Sequence, residues 1–172
     1  MSARLLSRID TAQLYPPFLA KLRAVLEEAQ ATQRSYWVVE GFRSYGRSEE
    51  LYAQGRTTPG PIVTRARAGQ SAHNFGIAAD LVLDGYIDRA GLQPDYRPAS
   101  YDILGHLAPK HGLVWGGSWT FKDLPHVQWP GYVTAAELQP LRKAFEVGGL
   151  PACWAYLDGV CRPIPLTSGA AP

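Results

Sequence analysis

The chain has 172 residues, 46% hydrophobic and 11% aromatic, which supplies one sizeable core and leaves too little length for two independent domains. Its 17 basic and 15 acidic residues are interspersed, giving a formal charge of +2 with no basic run to track a phosphate backbone, so no nucleic-acid partner is expected. No stretch approaches ~20 apolar residues, and the charged segment "MSARLLSRID" lacks the apolar centre of a signal peptide, so the reading is synthesis in the cytoplasm without membrane insertion.

Taken in chain order, "LYPPFLAKLRAVLEEAQATQ" places Pro16 and Pro17 in a first helical turn, with Phe18, Leu19, Leu22, Val25, Leu26 and Ala29 at helical spacing behind them. "SYWVVEGF" is β-branched and aromatic and predicts a strand; "RSEELYAQG" predicts a short helix stopped by Gly55. "GRTTPGPIVTRARAGQ" carries prolines and glycines without apolar period, the mark of a long irregular loop. Alternation from Ile77 to Leu83 predicts a strand, "ASYDILGHLAPKHGL" a helix ending near Gly112, "VWGGSW" a turn and "DLPHVQW" another strand. A last helix is expected over "TAAELQPLRKAFE". The expected domain covers 1–150, with 151–172 a partly disordered C-terminal extension. Cys153 and Cys161 in "CWAYLDGVC" are spaced either to close a small disulfide loop or to remain two free thiols. The fold class is α+β, a small antiparallel sheet flanked by helices.

Asp80 is the residue that does not belong. An ionised carboxylate in an apolar strand is costly unless something cationic pairs with it. His106 and His111, five apart on a predicted helix, fall on different faces and read as surface or helix-end residues. His73 and His126 instead stand where Gly- or Pro-containing loops meet apolar strands. On neighbouring strands they would converge with Asp80 on one ion, two imidazoles and a carboxylate leaving a fourth position open, as in a catalytic zinc site.

"SAHNFGIAAD" followed by "DLPHVQW" resembles the zinc peptidases of the D-alanyl-D-alanine carboxypeptidase and L-alanyl-D-glutamate endopeptidase family. The similarity extends upstream over "GFRSYGRSEELYAQGRTTPGPIVTRARAGQ" and, from Glu40 to Trp129, looks like the endopeptidase branch that includes bacteriophage endolysins. The resemblance implies a Hedgehog/D-Ala-D-Ala-peptidase-like fold, Zn2+ held by His73, Asp80 and His126, Asp123 as general base, and Arg43 at the substrate or the developing oxyanion. It also implies that Ser71 contacts substrate or supports its loop. Gln128 shares a strand face with His126 and suits orientation of that ligand. Trp115, Trp119 and Trp129 cluster around the second motif, as cleft wall or as core, with Trp119 the candidate for substrate contact.

The implied activity is cleavage of the L-alanyl–D-glutamate bond in peptidoglycan stem peptides, by a monomer acting on the cell wall (periplasm) after release from the cytoplasm. A D-alanyl-D-alanine carboxypeptidase or dipeptidase is the nearest alternative, against which Asp123 in the base position and the long loop both count. A non-catalytic metal-bound binding module is more remote. A non-haem iron oxygenase also uses two histidines and a carboxylate, but typically with a His-x-Asp pair, whereas His73 and Asp80 are seven apart.

Overall fold

In the computed structural model, which describes residues 5–85 and 91–160, Pro16 and Pro17 open helix α1 (Pro16–Ala31), where the first N–H groups have no intrahelical acceptor to lose. Its stripe of Phe18, Leu22, Val25, Leu26 and Ala29 is fully buried. Strand β1 (Tyr36–Glu40) follows, then helix α2 (Tyr45–Ala53), capped by the Ser44 hydroxyl, which accepts from the Arg47 N–H at 3.1 Å. From Gln54 to Ser71 the described chain forms no helix or named strand, as the prolines and glycines predict.

The remaining elements are β2 (Ala78–Asp84), β3 (Pro94–Asp95), α3 (Leu104–Lys110), β4 (Val114–Trp115), β5 (His126–Gln128) and α4 (Gln139–Val160). The five strands form one antiparallel sheet in the order β1-β2-β5-β4, with β3 also paired to β2. The expected α+β architecture is thus the observed one. Burial along β2 does not alternate: Ala78, Ala79, Leu81, Val82 and Asp84 are all buried, while Asp80 and Leu83 are only partly so. The strand is central and covered on both faces, so a strict period of two has no solvent side to report.

Helix α4 begins later and ends later than its sequence suggests. Thr134 and Glu137 do form reciprocal capping bonds, the Glu137 carboxylate accepting from the Thr134 N–H at 2.7 Å and the Thr134 hydroxyl from the Glu137 N–H at 3.3 Å. Pro140 then has no N–H to give the Ala136 carbonyl, which accepts instead from Gln139 at 3.2 Å, and regular helix starts only there. Gly148 and Gly149 break the helical path, with φ/ψ of −151/22 and 63/−153, before Pro151 restarts it. The second half, past residue 150, buries Cys153 and Leu157 in the main core. Trp154 donates to the Phe75 carbonyl at 3.1 Å, and Tyr15 donates to Asp158 at 2.6 Å. Cys161, the other half of the considered disulfide, lies outside the described residues.

Candidate metal centre

The sheet register builds the centre. Asp80 of β2 lies directly opposite His126 of β5 on one side and Glu40 of β1 on the other, so three polar residues form one row across three strands. His73 comes from a 3-10 turn, Ala72–Phe75, that delivers the chain into β2. Gly76 ends that turn at φ 69°, and a Cβ there would stand 2.2 Å from the Gln13 carbonyl oxygen, so only glycine lets the turn seat against the segment before α1.

His73 Nε2, His126 Nδ1 and Asp80 Oδ1 form a nearly equilateral triangle: the His73–His126 and Asp80–His126 edges are 3.2 Å and the His73–Asp80 edge 3.3 Å. A tetrahedral site with bonds of ~2.0–2.1 Å requires ligand–ligand edges of ~3.3–3.4 Å. The donor set, two imidazole nitrogens and one carboxylate oxygen, therefore fits a zinc ion in both chemistry and spacing. Each imidazole is held from its far side. His73 Nδ1–H donates to the Gly41 carbonyl at 2.7 Å, and His126 Nε2–H to Gln128 Oε1 at 3.0 Å, while the Gln128 amide in turn donates to the Tyr132 carbonyl at 2.9 Å. These bonds fix the tautomers that leave the inward nitrogens free to ligate.

Burial disfavours the Asp80 carboxylate, but the charges and hydrogen bonds of His73 and His126 outweigh it and hold its pKa well below the usual carboxylate range. Burial likewise opposes a charge on His126, yet the hydrogen bond and charge of Asp80 raise its pKa above the ordinary imidazole value. Arg43 adds a second cation, its guanidinium 3.7 Å from Asp80 and gripped in two places by Glu40. Buried Asn74 fixes this region, its amide donating to the Arg43 carbonyl at 2.7 Å and to the Ser48 hydroxyl at 2.8 Å, and its Oδ1 accepting from the Gly69 N–H at 3.0 Å.

Glu40, Arg43, His73, Asp80 and His126 face a cleft of about 900 Å³, which Ser71, Trp119, Asp123 and Gln128 also line. Asp123 is exposed overall, yet desolvation within the cleft, with the Asp80 charge adding to it, raises its pKa against the pull of His126, His73 and Arg43. Gly116 allows this approach: a Cβ there would stand 2.6 Å from the Asp123 carbonyl oxygen and 3.1 Å from the His126 Cβ. The Trp119 ring lies 5.2 Å from that of His126. Trp115 and Trp129 take the other reading, packed against the core, Trp115 donating to the Leu124 carbonyl at 2.8 Å and Trp129 set edge-on to Tyr15 at 5.3 Å. His106 is exposed and His111 pairs with Glu28 at 2.8 Å, both away from the cluster. Sequence reasoning missed Glu40 and Asn74: the pairing of Glu40 with Arg43 three residues on is an ordinary spacing at a strand end, and Asn74 is bonded to Arg43 and Ser48 from another segment.

Fold and site together define a metallopeptidase architecture, and comparison with known proteins agrees. The D-alanyl-D-alanine carboxypeptidase family model matches residues 64–129. The peptidoglycan L-alanyl-D-glutamate endopeptidase CwlK of Bacillus subtilis (strain 168) is 40% identical over 125 residues, spanning 68% of this chain and 74% of that protein. Among solved structures, the L-Ala D-Glu endopeptidase ChiX of Serratia marcescens shares the fold at a TM-score of 0.51 and 24% identity, over 75% of this chain and 88% of that one. A vancomycin-resistance D,D-pentapeptidase, VanY, in complex with Zn(II), shares it at 0.51 and 17%, over 76% and 78%. The chain belongs to the peptidase family of D-alanyl-D-alanine carboxypeptidases and L-alanyl-D-glutamate endopeptidases.

Proposed function

We propose that this chain is a zinc-dependent peptidoglycan hydrolase that cleaves the L-alanyl–D-glutamate bond of stem peptides. The observation that carries the reading is the triangle of His73, Asp80 and His126 donors facing a cleft that also holds Asp123 and Arg43. The 40% identity to an L-alanyl-D-glutamate endopeptidase supports the choice of bond.

His73, Asp80 and His126 would hold the ion, which when bound supplies Lewis acidity and a water of lowered pKa. Asp123 accepts a proton from the attacking water and returns it to the departing amine, a task suited to a carboxylate whose pKa its surroundings raise. Arg43, fixed by Glu40, presents its guanidinium to the carbonyl oxygen as negative charge develops there. Gln128 orients His126, while Ser71 and Trp119 contact the bound peptide from the cleft wall. In this reading the protein works as a monomer on the cell wall, in the manner of an endolysin.

Mass spectrometry of soluble products from purified peptidoglycan tests the proposal, comparing zinc-loaded protein with protein stripped by a chelator. Zinc-dependent release of peptides beginning at D-glutamate, with L-alanine left on the glycan, is the expected result. Loss of only a terminal D-alanine would assign the chain to D,D-peptidase chemistry instead, and absence of any product would favour a binding role.

A further inference from the structure

The cleft mouth is both cationic and apolar. Of the exposed large hydrophobic residues, Ile62, Val63, Phe121 and Val133 all border this one cleft, with Phe121 73% exposed. Four basic side chains also face it: Arg43, Arg56, Arg65 and Lys122. Two are already committed. Arg43 is paired with Glu40 and Asp80, and Arg56 donates to the Tyr52 and Thr64 carbonyls at 2.6 and 3.1 Å while stacking on Tyr52. Arg65 and Lys122 have no carboxylate partner among the described residues, and only Arg65 is held in place, its guanidinium lying 4.7 Å over the Phe121 ring. That contact joins the long irregular loop to the segment before β5. No hydrogen bond or ion pair occupies the Arg65 guanidinium N–H groups among the described residues.

A fixed guanidinium with an unused edge, beside exposed apolar surface at the mouth of a peptide-sized cleft, is suited to a planar anion carried on a short apolar peptide. We infer that Arg65, positioned by Phe121, is a specificity-determining residue that receives a carboxylate of the substrate peptide. The inference rests on the peptidase reading above and deepens it. In a stem peptide whose diamino acid is diaminopimelate, two carboxylates off the main chain share this chemistry: the α-carboxylate of the γ-linked D-glutamyl residue and the side-chain carboxylate of the diamino acid following it.

The test measures kcat/KM for zinc-loaded full-length protein on matched L-Ala-γ-D-Glu-diamino-acid peptides: both carboxylates free, the D-glutamyl carboxylate converted to its amide, or the diamino-acid carboxylate amidated. The wild type should prefer the fully acidic peptide to one of the two amides by on the order of tenfold or more, mainly through KM, as a charge-assisted hydrogen bond would give. The amide that is discriminated against identifies the carboxylate. Arg65→Gln should bring that ratio towards one, Arg65→Lys should restore part of it, and Phe121→Ala should weaken it. A ratio unchanged in Arg65→Gln, an equal loss on all three peptides, or a ratio carried by Lys122→Gln instead would overturn the inference while leaving the peptidase reading intact. If the wild type cleaves none of the peptides at the L-alanyl–D-glutamate bond, the peptidase reading fails and the inference falls with it.

Discussion

Asp80 can lie in the central strand because His126 and His73 stand 3.2 and 3.3 Å from one of its oxygens and Arg43 stands 3.7 Å from the other. At the scale of single residues, this anomaly was the most legible feature of the site: a carboxylate among Ala78, Ala79, Leu81 and Val82 demands a partner, and few residue types can supply one. Glu40 was illegible for the converse reason. It ends a strand where a carboxylate is unremarkable, and the grip it has on Arg43 three residues on gains its meaning from the register that sets Glu40 opposite Asp80. Gln128 occupies middle ground, since strand alternation places it beside His126 but cannot show its hydrogen bond. That bond gives a direct expectation. Gln128→Ala leaves His126 Nε2 without its buried acceptor, and zinc affinity should fall ~10–100-fold, whereas Gln128→Glu keeps an acceptor and should retain most of it. Competition with a chromophoric chelator measures this; equal affinity in Gln128→Ala would mean that the imidazole needs no such support.

At the scale of elements, α1 was readable because its prolines and apolar period act within the segment itself, and α2 because Gly55 stops it locally, two residues beyond its last turn. β3 and β4 are two residues each and exist only through pairing with β2 and β5, so no local pattern could have marked them. The start of α4 falls later than expected because Pro140, three residues after the Thr134–Glu137 capping pair, has no N–H with which to continue that first turn. The element that matters most to function is also a short one, the four-residue 3-10 turn holding His73. Gly76→Ala would impose a side chain at φ 69° and a 2.2 Å approach to the Gln13 oxygen. A loss of more than ~1 kcal/mol in urea denaturation is expected, since strain and backbone displacement add. Because the displaced turn carries His73, zinc affinity should fall in the same variant. Full stability together with full affinity would show that the segment before α1 can yield without cost.

At the scale of the whole molecule, the cleft wall was the least legible part, because it is assembled from the irregular loop, the end of β1 and the segment before β5, none of which signals the others in sequence. Yet the centre that these segments enclose joins β1, β2, β5 and the 3-10 turn, so its charge state is linked to global stability. In metal-free protein the folded pKa of His126 is raised, so the stabilisation from its protonated form is fully present below the unfolded value of ~6.5 and is lost as pH rises through the folded value. The folded pKa of Asp80 is depressed, so its contribution is present above ~3.9 and lost as pH falls. The two shifts describe one interaction from its two ends, and metal-free protein gains most from it between those limits. Zinc requires the opposite state of His126, the unprotonated imidazole, and competes with the proton for the same nitrogen. The rise in Tm produced by a fixed free zinc concentration should therefore be small near pH 5.5 and grow steadily towards pH 8, with proton uptake on metal removal across the lower part of that range. Differential scanning calorimetry of loaded and stripped protein along a pH series measures the difference. A zinc-induced rise that is constant or shrinks with increasing pH would show that His126 Nδ1 is not the nitrogen at which metal and proton exchange.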